Sequence, residues 1–245
     1  LLCQVVSLNT DIERVVFASS CSVYGATEDL VLNEGSQLSP VSFYARSRIV
    51  SEGILARELE GRSVVTLRLG TVFGASERMR LDLMVNTMTW NAVTKGKVRV
   101  MGGDSWRPHV HVCDVAEAFA TATEAPHDKV GGETFNVGAD HNNLTISETA
   151  VAVANEVGDT EIEYVAGNDD ARSYRVSFAK INHVLSFVAR HRIEDGVREM
   201  VDLFKSGRID GKDPRYSNLQ YLRDFGFTGQ YVPEHPAGPA GERGA

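Results

Sequence analysis

Several features are scarce in this sequence of 245 residues, and each absence excludes a class of protein. No apolar run approaches the roughly 18 residues that cross a bilayer, so we expect no membrane partner. Acidic side chains outnumber basic ones, and the net charge of -8 argues against a nucleic-acid-binding surface. An acidic protein can still bind a phosphorylated ligand, because a few arginines and helix N-termini are enough.

Cysteine is rare as well, and the three that occur, Cys3, Cys21 and Cys113, are widely separated. No CxxC pair and no His/Cys cluster at zinc-ligand spacing is present. The sequence therefore predicts reduced thiols, a cytoplasmic protein and no metal site. The chain also begins with Leu1 rather than Met, inside a stretch that resembles a helix. We therefore expect a fragment whose N-terminal part is absent.

The first third of the chain has a strand, helix, strand pattern. Residues 12–18 form an apolar, β-branched run typical of a buried strand, and residues 64–69 form another. A helix is predicted between them over residues 43–60, preceded by Pro40 and Ser42. The apolar face of this helix consists of Ile49, Ile54, Leu55 and Leu59. This order is a βαβ unit, so we expect a parallel α/β protein.

The remaining chain also alternates strands with helices. Strands are predicted at 97–101, 133–138 and 161–165, and helices at 80–94, 177–190 and 192–205. Thr145 and Glu148 have the spacing of a capping box. Residues 110–125 indicate a strand end that passes into a helix with Asp114 as its N-cap. The tail from Pro233, rich in proline and glycine, is expected to be disordered.

Small hydroxyl side chains are concentrated in residues 19–25, SSCSVYG, directly after the first predicted strand. Ligands of parallel α/β sheets bind outside the carboxyl ends of the strands, so these side chains are candidates for substrate contacts. Taken alone, the segment is better explained as a polar turn with serine as a helix cap.

A second candidate pair lies at the start of the next predicted helix. Tyr44 and Arg48 are four residues apart and so share a helix face. A phenol is a poor base at neutral pH, but a fixed positive charge close by favours the phenolate. Ser20 can then share a substrate hydroxyl with Tyr44. The alternative is a packed tyrosine and a solvated arginine, and a Tyr-x-x-x-Arg spacing often occurs by chance.

Three consecutive segments carry a family resemblance: VVFASSCSVYG, SPVSFYARSRIVSE and VVTLRLGTVFGA. Together with WRPHVHVCDVAEAF, GETFNVG and RSYRVSFAKI, they resemble the extended short-chain dehydrogenases/reductases, in particular the NAD-dependent nucleotide-sugar epimerases and dehydratases. The resemblance covers roughly residues 1–205. It implies a Rossmann-like doubly wound parallel sheet, here without its first strands, and a smaller interleaved α/β substrate domain.

The resemblance also implies a division into domains. Residues 1–74 and 110–139 would belong to the dinucleotide-binding domain, and residues 75–109 and 140–228 to the substrate domain, followed by a disordered tail over residues 229–245. The glycine motif that cradles the dinucleotide phosphates in this family does not occur in the sequence. We therefore expect the chain as written to bind the dinucleotide poorly.

The family resemblance assigns roles to the candidate residues. Ser20 and Tyr44 would bind the reacting sugar hydroxyl, and Tyr44 would exchange its proton while the nicotinamide of NAD or NADP takes the hydride. Arg48 stands where the family has the lysine that bonds the nicotinamide ribose. It keeps the positive charge but is larger, planar and never neutral. The implied cofactor contacts are Ala18, Ser19, Tyr44, Arg48, Leu69, Thr71 and Val72.

The implied contacts with a nucleotide-sugar substrate are Ser20, Cys21, Ser22, Thr71, Asn86, Arg107 and Arg172. Arg107 and Arg172 match family arginines that pair with the substrate phosphates, for which arginine is well suited. A surface salt bridge is an equally good interpretation of each. Thr71 stands where some epimerases have asparagine. We expect structural roles for His111 and Asp114, and packing for Cys21.

The residues after Ser20 bear on the reaction. Family dehydratases have an Asp-Glu pair there, whereas this chain has Cys21 and Ser22. Because elimination needs an acid/base group, this favours a C4 epimerase that works through a transient 4-keto sugar. Net NAD(P)-dependent reduction or oxidation, dehydration, and a catalytically impaired binding protein with Arg48 in place of lysine remain alternatives. The resemblance further implies a homodimer that packs through the Tyr44 helix.

Overall fold

The computed structural model describes residues 1–167 and 172–225. Its strands are β1 Arg14–Ser20, β2 Ala26–Leu32, β3 Ser63–Leu69, β4 Thr71–Phe73, β5 Lys97–Met101, β6 Trp106–His111, β7 Thr134–Val137, β8 Asn143–Thr145, β9 Glu161–Val165 and β10 Ser173–Val176. Its helices are α1 Leu2–Leu8, α2 Phe43–Glu58, α3 Met84–Lys95, α4 Val112–Glu124, α5 His127–Val130, α6 Ile146–Val157, α7 Ala179–Leu185, α8 Ile193–Lys205 and α9 Asn218–Phe225.

The central sheet is parallel, with the strand order β1-β3-β7. Ser20 at the end of β1 is paired with Leu69, and Leu69 with Val137 at the end of β7. The carboxyl ends of the three strands therefore form one edge. Val65 and Leu67 are fully buried in β3, as expected for a strand covered on both faces. The predicted parallel, Rossmann-like α/β class is confirmed.

Four smaller strand pairs surround this sheet. β2 with β10, β4 with β6, and β5 with β9 are parallel, whereas β6 and β8 are antiparallel. β4 follows β3 after a single residue, Gly70. Its pairing with β6 therefore begins next to the edge formed by the carboxyl ends of β1, β3 and β7. The sequence pattern did not predict β2, β4, β8 or β10.

Within residues 1–167 and 172–225, the buried side chains form two large clusters and a small one. The first surrounds the central sheet and includes Leu67 and Phe135, and the second joins α3, α6 and α8 through residues such as Val153 and Met200. Residues 174–189 contribute to the first cluster, although the predicted division placed them in the substrate domain. The domain boundaries stay a prediction. Over the described ranges, no helix is both long and apolar enough to cross a membrane.

The local signals for helix ends are largely confirmed. The Ser42 hydroxyl accepts the Ala45 N–H at 3.1 Å and caps α2. Thr145 and Glu148 form the predicted capping box of α6. Of the apolar face predicted for α2, Leu55 and Leu59 are buried, Ile49 is half-buried, and Ile54 is exposed.

Several predicted boundaries are wrong. The N-cap of α4 is His111, not Asp114, which lies buried in the first turn and accepts the backbone N–H groups of Arg190 and His191. The helix predicted over 177–190 is only α7, because Ser186 takes a left-handed conformation that ends it. The helix predicted over 80–94 begins at Met84, and α9 follows the helix predicted to be the last. The tail from Pro233 lies outside the described residues.

Candidate active site

Ser20 lies at the carboxyl end of β1 and caps the short 3-10 helix Cys21–Tyr24, which is about one turn long. Its Oγ accepts the Ser22 N–H at 3.2 Å. A hydroxyl has one proton and two lone pairs, so this capping bond leaves the Ser20 proton available to an oxygen of a ligand. The local backbone thus orients the side chain that the sequence marked as catalytic.

The two residues after Ser20 are buried. The Cys21 thiol donates to the backbone carbonyl of Arg68 at 3.2 Å, and burial raises its pKa. Its contact with the neighbouring strand gives Cys21 a packing role rather than the implied contact with substrate. The Ser22 Oγ is also buried, and it finds no hydrogen-bond partner within residues 1–167 and 172–225.

Tyr44 and Arg48 lie on the same face of α2, as the spacing predicted. The Arg48 guanidinium carbon is 5.0 Å from the centroid of the Tyr44 ring and 5.7 Å from that of Phe17. Its Nη1 donates to the carbonyl of Ala18 in β1 at 3.3 Å. Tyr44 itself is half exposed. Because α2 packs against β1 and the turn that follows it, the Arg48 cation lies beside the strand that ends in Ser20, and the Tyr44 ring lies against that cation.

The implied cofactor contacts only partly face an open site. The Nε of Arg48 is buried and has no hydrogen-bond partner in the part of the chain that the structure describes. Ser19 is buried, and its hydroxyl donates to Glu52 instead. Leu69 and Val72 are half-buried against the central cluster.

Three of the predicted substrate residues, Thr71, Arg107 and Arg172, line one pocket of about 460 Å³. The other lining residues are Asp82, Leu83, Met84, Thr87, Met88, Asn91, Arg99, Met101 and Ile146. The pocket therefore combines cationic groups with an apolar wall, which suits a ligand that carries both negative charge and an apolar or aromatic surface.

Asn86 is placed differently from the expectation. It is buried, its Oδ1 accepts the Gly74 N–H at 3.3 Å, and its Nδ2 donates to the Arg80 carbonyl at 3.0 Å. The next residue along α3, Thr87, lines the pocket instead. Successive helix residues are rotated by about 100°, and the rotation of α3 turns Thr87 to the pocket and Asn86 to the buried side that packs on Gly74.

Arg107 is the second residue of β6 and is nearly fully buried. Its Nη1 donates to the carbonyl of Trp106 at 2.7 Å and to the carbonyl of Arg172. The two predicted phosphate-binding arginines are therefore adjacent, and one holds the backbone of the other. Next to Arg107, burial lowers the pKa of His109 to about 3, and the positive charge of Arg107 adds to the effect.

His111 and Asp114 occupy structural positions, in line with the expectation. His111 is fully buried, accepts the Cys113 N–H at its Nδ1, and lies 3.0 Å through its Nε2 from a Glu199 carboxylate oxygen. Asp114 is also 2.8 Å from the Nδ1 of His191. Both residues thus tie β6 and α4 to the segment that leads into α8.

Sequence reasoning missed a buried polar network behind Ser20. It contains Glu52 on α2, Arg68 in β3, Tyr24, and Asn136 in β7. Burial opposes the charge of Arg68, but its hydrogen bond to Glu52 prevails and raises its pKa, so the guanidinium stays protonated. The available signal was a single arginine inside the apolar strand VVTLRL, since a buried charge needs a partner.

The fold is that of a parallel α/β protein, and Thr71, two residues beyond the carboxyl end of β3, lines a pocket in the region where ligands of such sheets bind. The model of the NAD dependent epimerase/dehydratase family matches residues 2–138, more than half of the chain. The chain therefore belongs to that family, and the resemblance found in the sequence is confirmed.

The similar proteins agree with this family assignment, although their sequence identity to the chain is low. A UDP-glucose 4-epimerase from Lactobacillus helveticus is 26% identical over 211 residues, which are 77% of this chain and 63% of that protein. MoeE5, solved with UDP-glucose and NAD, has a TM-score of 0.73 and 25% identity over 85% of this chain and 70% of its own. A dTDP-glucose 4,6-dehydratase from Bacillus anthracis, solved with NAD, has a TM-score of 0.72 and 23% identity over 89% of this chain and 68% of its own. The chain thus spans about three fifths of the length of the curated relatives it matches.

Proposed function

We propose that the protein is an NAD-dependent nucleotide-sugar epimerase that inverts C4 through a transient 4-keto sugar. The observation that carries this proposal is the placement of Tyr44 and Arg48 on one helix face beside the strand that ends in Ser20. A phenol, a permanent cation and a hydroxyl at one strand end are the groups that proton exchange with a sugar hydroxyl requires.

The dinucleotide, when bound, supplies the hydride acceptor and returns the hydride. The chain's own residues then handle the proton. The Ser20 hydroxyl hydrogen-bonds the reacting sugar oxygen and fixes its position. Tyr44 takes the proton from that oxygen and returns it after the ketosugar has rotated to present its other face. Arg48 favours the phenolate through its charge and offers its buried Nε to the ribose.

The pocket beside Thr71 would hold the nucleotide diphosphate. Arg107 and Arg172 would pair with the phosphates, and Met84 and Met88 would pack against the apolar parts of the ligand. The names of two proteins similar to this chain support the substrate class: one is called a UDP-glucose 4-epimerase, and the other was solved with UDP-glucose and NAD.

Epimerisation is favoured over dehydration by the groups around Cys21 and Ser22. Neither residue is an acid, and the carboxylates whose charge acts on the Cys21 thiol have other partners. Glu34 accepts the Asn136 N–H at 2.8 Å, and Glu52 is paired with Arg68. Elimination requires a free acid/base group at the sugar, whereas epimerisation needs only the hydroxyl and the phenol.

The exposed apolar side chains of α1 and α2 favour a second copy of the chain as the protein's partner. Leu2 and Val5 on α1, and Phe43 and Val50 on α2, expose large apolar side chains. Such a patch typically marks an interface. We therefore infer a homodimer through these helices, and a cytoplasmic location that keeps the three free cysteines reduced. Val50→Lys should convert a dimer to a monomer in sedimentation velocity, whereas an unchanged sedimentation coefficient would contradict this interface.

The function is tested by product analysis with the protein expressed from its complete gene. The enzyme is incubated with NAD and, separately, with UDP-, dTDP- and GDP-sugars, and the products are followed by proton NMR and absorbance at 340 nm. Inversion at C4 without net reduction of NAD is the expected result. Stoichiometric NADH would indicate net oxidation, a 4-keto-6-deoxy sugar would indicate dehydration, and binding without turnover would indicate a non-catalytic protein.

A further inference from the structure

A row of buried polar side chains crosses the central sheet at the level of Ser19, one residue before the carboxyl end of β1. Ser19, Arg68 and Asn136 are direct neighbours on β1, β3 and β7. All three are buried. Polar groups in such a row cost free energy unless each one is paired, so their partners explain why they are there.

Glu52 is the central partner of this row. Its carboxylate binds Arg68 through two hydrogen bonds, 2.7 Å to Nη2 and 3.1 Å to Nε, and accepts the Ser19 hydroxyl at 2.5 Å. The side chains of Arg68 and Glu52 are only 7% and 13% exposed. One carboxylate from α2 therefore holds β1 and β3 at once, with the bidentate geometry that fixes direction as well as distance.

The network continues to the other side of Ser20. Arg68 Nη1 donates to the Tyr24 hydroxyl at 3.1 Å, and Tyr24 donates to Asn136 Oδ1 at 2.8 Å. Burial raises the pKa of Tyr24 to about 12, which keeps the phenol protonated as a donor. Ser20 thus sits between two members of the network, Ser19 before it and Tyr24 at the end of the turn that it caps.

The same network reaches the residues of α2 proposed to act on the substrate. Tyr44, Arg48 and Glu52 follow one another at intervals of four residues, so they lie on one face of α2. Glu52 therefore anchors, to the strand that bears Ser20, the helix face that bears Tyr44 and Arg48.

We propose that Glu52 and Arg68 are positioning residues that set the placement of Tyr44 and Arg48 relative to Ser20. This inference rests on the proposed function and adds two residues to it. Stability alone explains the pair poorly, because a buried ion pair is often no more stabilising than well-packed apolar residues of similar size. Placement explains it better, since a displacement of about 1 Å in reacting groups can cost about 100-fold in rate.

The test replaces both charges together, so that neither is left buried alone. The variant Glu52→Leu/Arg68→Met is compared with Glu133→Leu/Lys180→Met, which removes a half-exposed pair far from Ser20. We expect the first variant to keep a melting temperature within about 3 °C of wild type, and to lose at least about 30-fold in kcat with KM changed by less than about threefold. The control should keep the wild-type kcat. A kcat within about threefold of wild type in a folded Glu52→Leu/Arg68→Met variant overturns the proposal.

A more conservative variant provides a test in case Glu52→Leu/Arg68→Met does not fold. Arg68→Lys keeps the cation but cannot bind both carboxylate oxygens in one plane, so kcat should fall by about fivefold or more at unchanged melting temperature. An unchanged kcat again overturns the proposal. Crystal structures of wild type and both variants separate this inference from the proposed function. If wild type inverts no sugar, the proposed function fails, while a shifted Ser20–Tyr44 distance in the variants still supports positioning and an unshifted one refutes it.

Discussion

The Arg48 guanidinium lies over the Tyr44 ring, 5.0 Å from its centroid and one turn further along α2. The same side chain reaches the Ala18 carbonyl of β1, so it links the helix to the strand that bears Ser20. A planar cation can stack on an aromatic face while its nitrogens donate elsewhere, which a lysine ammonium achieves less well. Arginine is therefore compatible with this position, and it supplies the positive charge that favours the Tyr44 phenolate.

This relationship predicts the outcome of replacing Arg48. Arg48→Met should lower kcat by about 100-fold or more, because the fixed charge that favours the phenolate is lost. Arg48→Lys should stay within about tenfold of wild type. Steady-state kinetics of both variants measure this, with Arg46→Met, an exposed arginine on the same helix, as the matched control. A large gain in turnover from Arg48→Lys would instead mark the native protein as impaired.

The pocket beside Thr71 makes a second prediction. Met84→Trp adds bulk to its apolar wall and should weaken nucleotide-sugar binding by about tenfold or more, since the site would lose volume that the ligand needs. Isothermal titration with UDP-glucose measures the affinity. Val151→Trp, at an exposed position on α6, is the control and should bind as wild type does. Equal affinities for both variants would place the ligand elsewhere.

The pH dependence of stability should carry the signature of His109. Its pKa falls from 6.5 to about 3 on folding, so the unfolded chain binds the extra proton between these values. Stability conferred by the neutral imidazole is therefore complete above pH 6.5 and is lost as the pH falls towards 3, with a slope of up to about 1.4 kcal/mol per pH unit.

Urea unfolding of His109→Asn at pH 7, 6 and 5 tests this contribution. The variant should lose less stability than wild type over that range, whatever its stability at pH 7. Identical slopes for wild type and His109→Asn would show that His109 is not the group that titrates.

Cys21 and Cys113 should differ in reactivity. The thiolate is the reactive form, and burial raises the pKa of Cys21, which is only 1% exposed. Burial and the charges of Glu199 and Asp114 also raise the pKa of Cys113, but this side chain is exposed. Timed alkylation read by mass spectrometry should label Cys113 in the native protein and Cys21 only after unfolding. Labelling of native Cys21 at the rate of Cys113 would contradict the packing described.

The sequence was most informative where the signal was local. The strand over 64–69 and the helix around Tyr44 followed from short apolar runs, a serine cap and a four-residue spacing, all of which act within a turn or a strand. The family resemblance added Ser20, Arg107 and Arg172, and the structure brings the two arginines to one pocket. That grouping depends on segments 65 residues apart, so no local pattern contains it.

The residues that were missed depend on tertiary packing. Arg68 signals a buried charge, but its partner Glu52 is 16 residues away on another element, and only the packing of α2 on β3 selects it. The choice between Asn86 and Thr87 likewise depends on how α3 is rotated, which its amphipathic pattern constrains only loosely. The end of α7 at Ser186 rests on a left-handed residue that is not glycine, a conformation that sequence rarely reveals.

The proposed function requires that Ser20, Tyr44 and Arg48 support transient oxidation at C4 of a nucleotide sugar. The most direct test is to give the full-length enzyme UDP-glucose deuterated at C4, in ordinary water, and to follow the product by NMR. We expect UDP-galactose that retains the deuterium at C4, formed at least about 100-fold more slowly by Tyr44→Phe. Loss of the deuterium to solvent, or an undiminished rate in Tyr44→Phe, would contradict it.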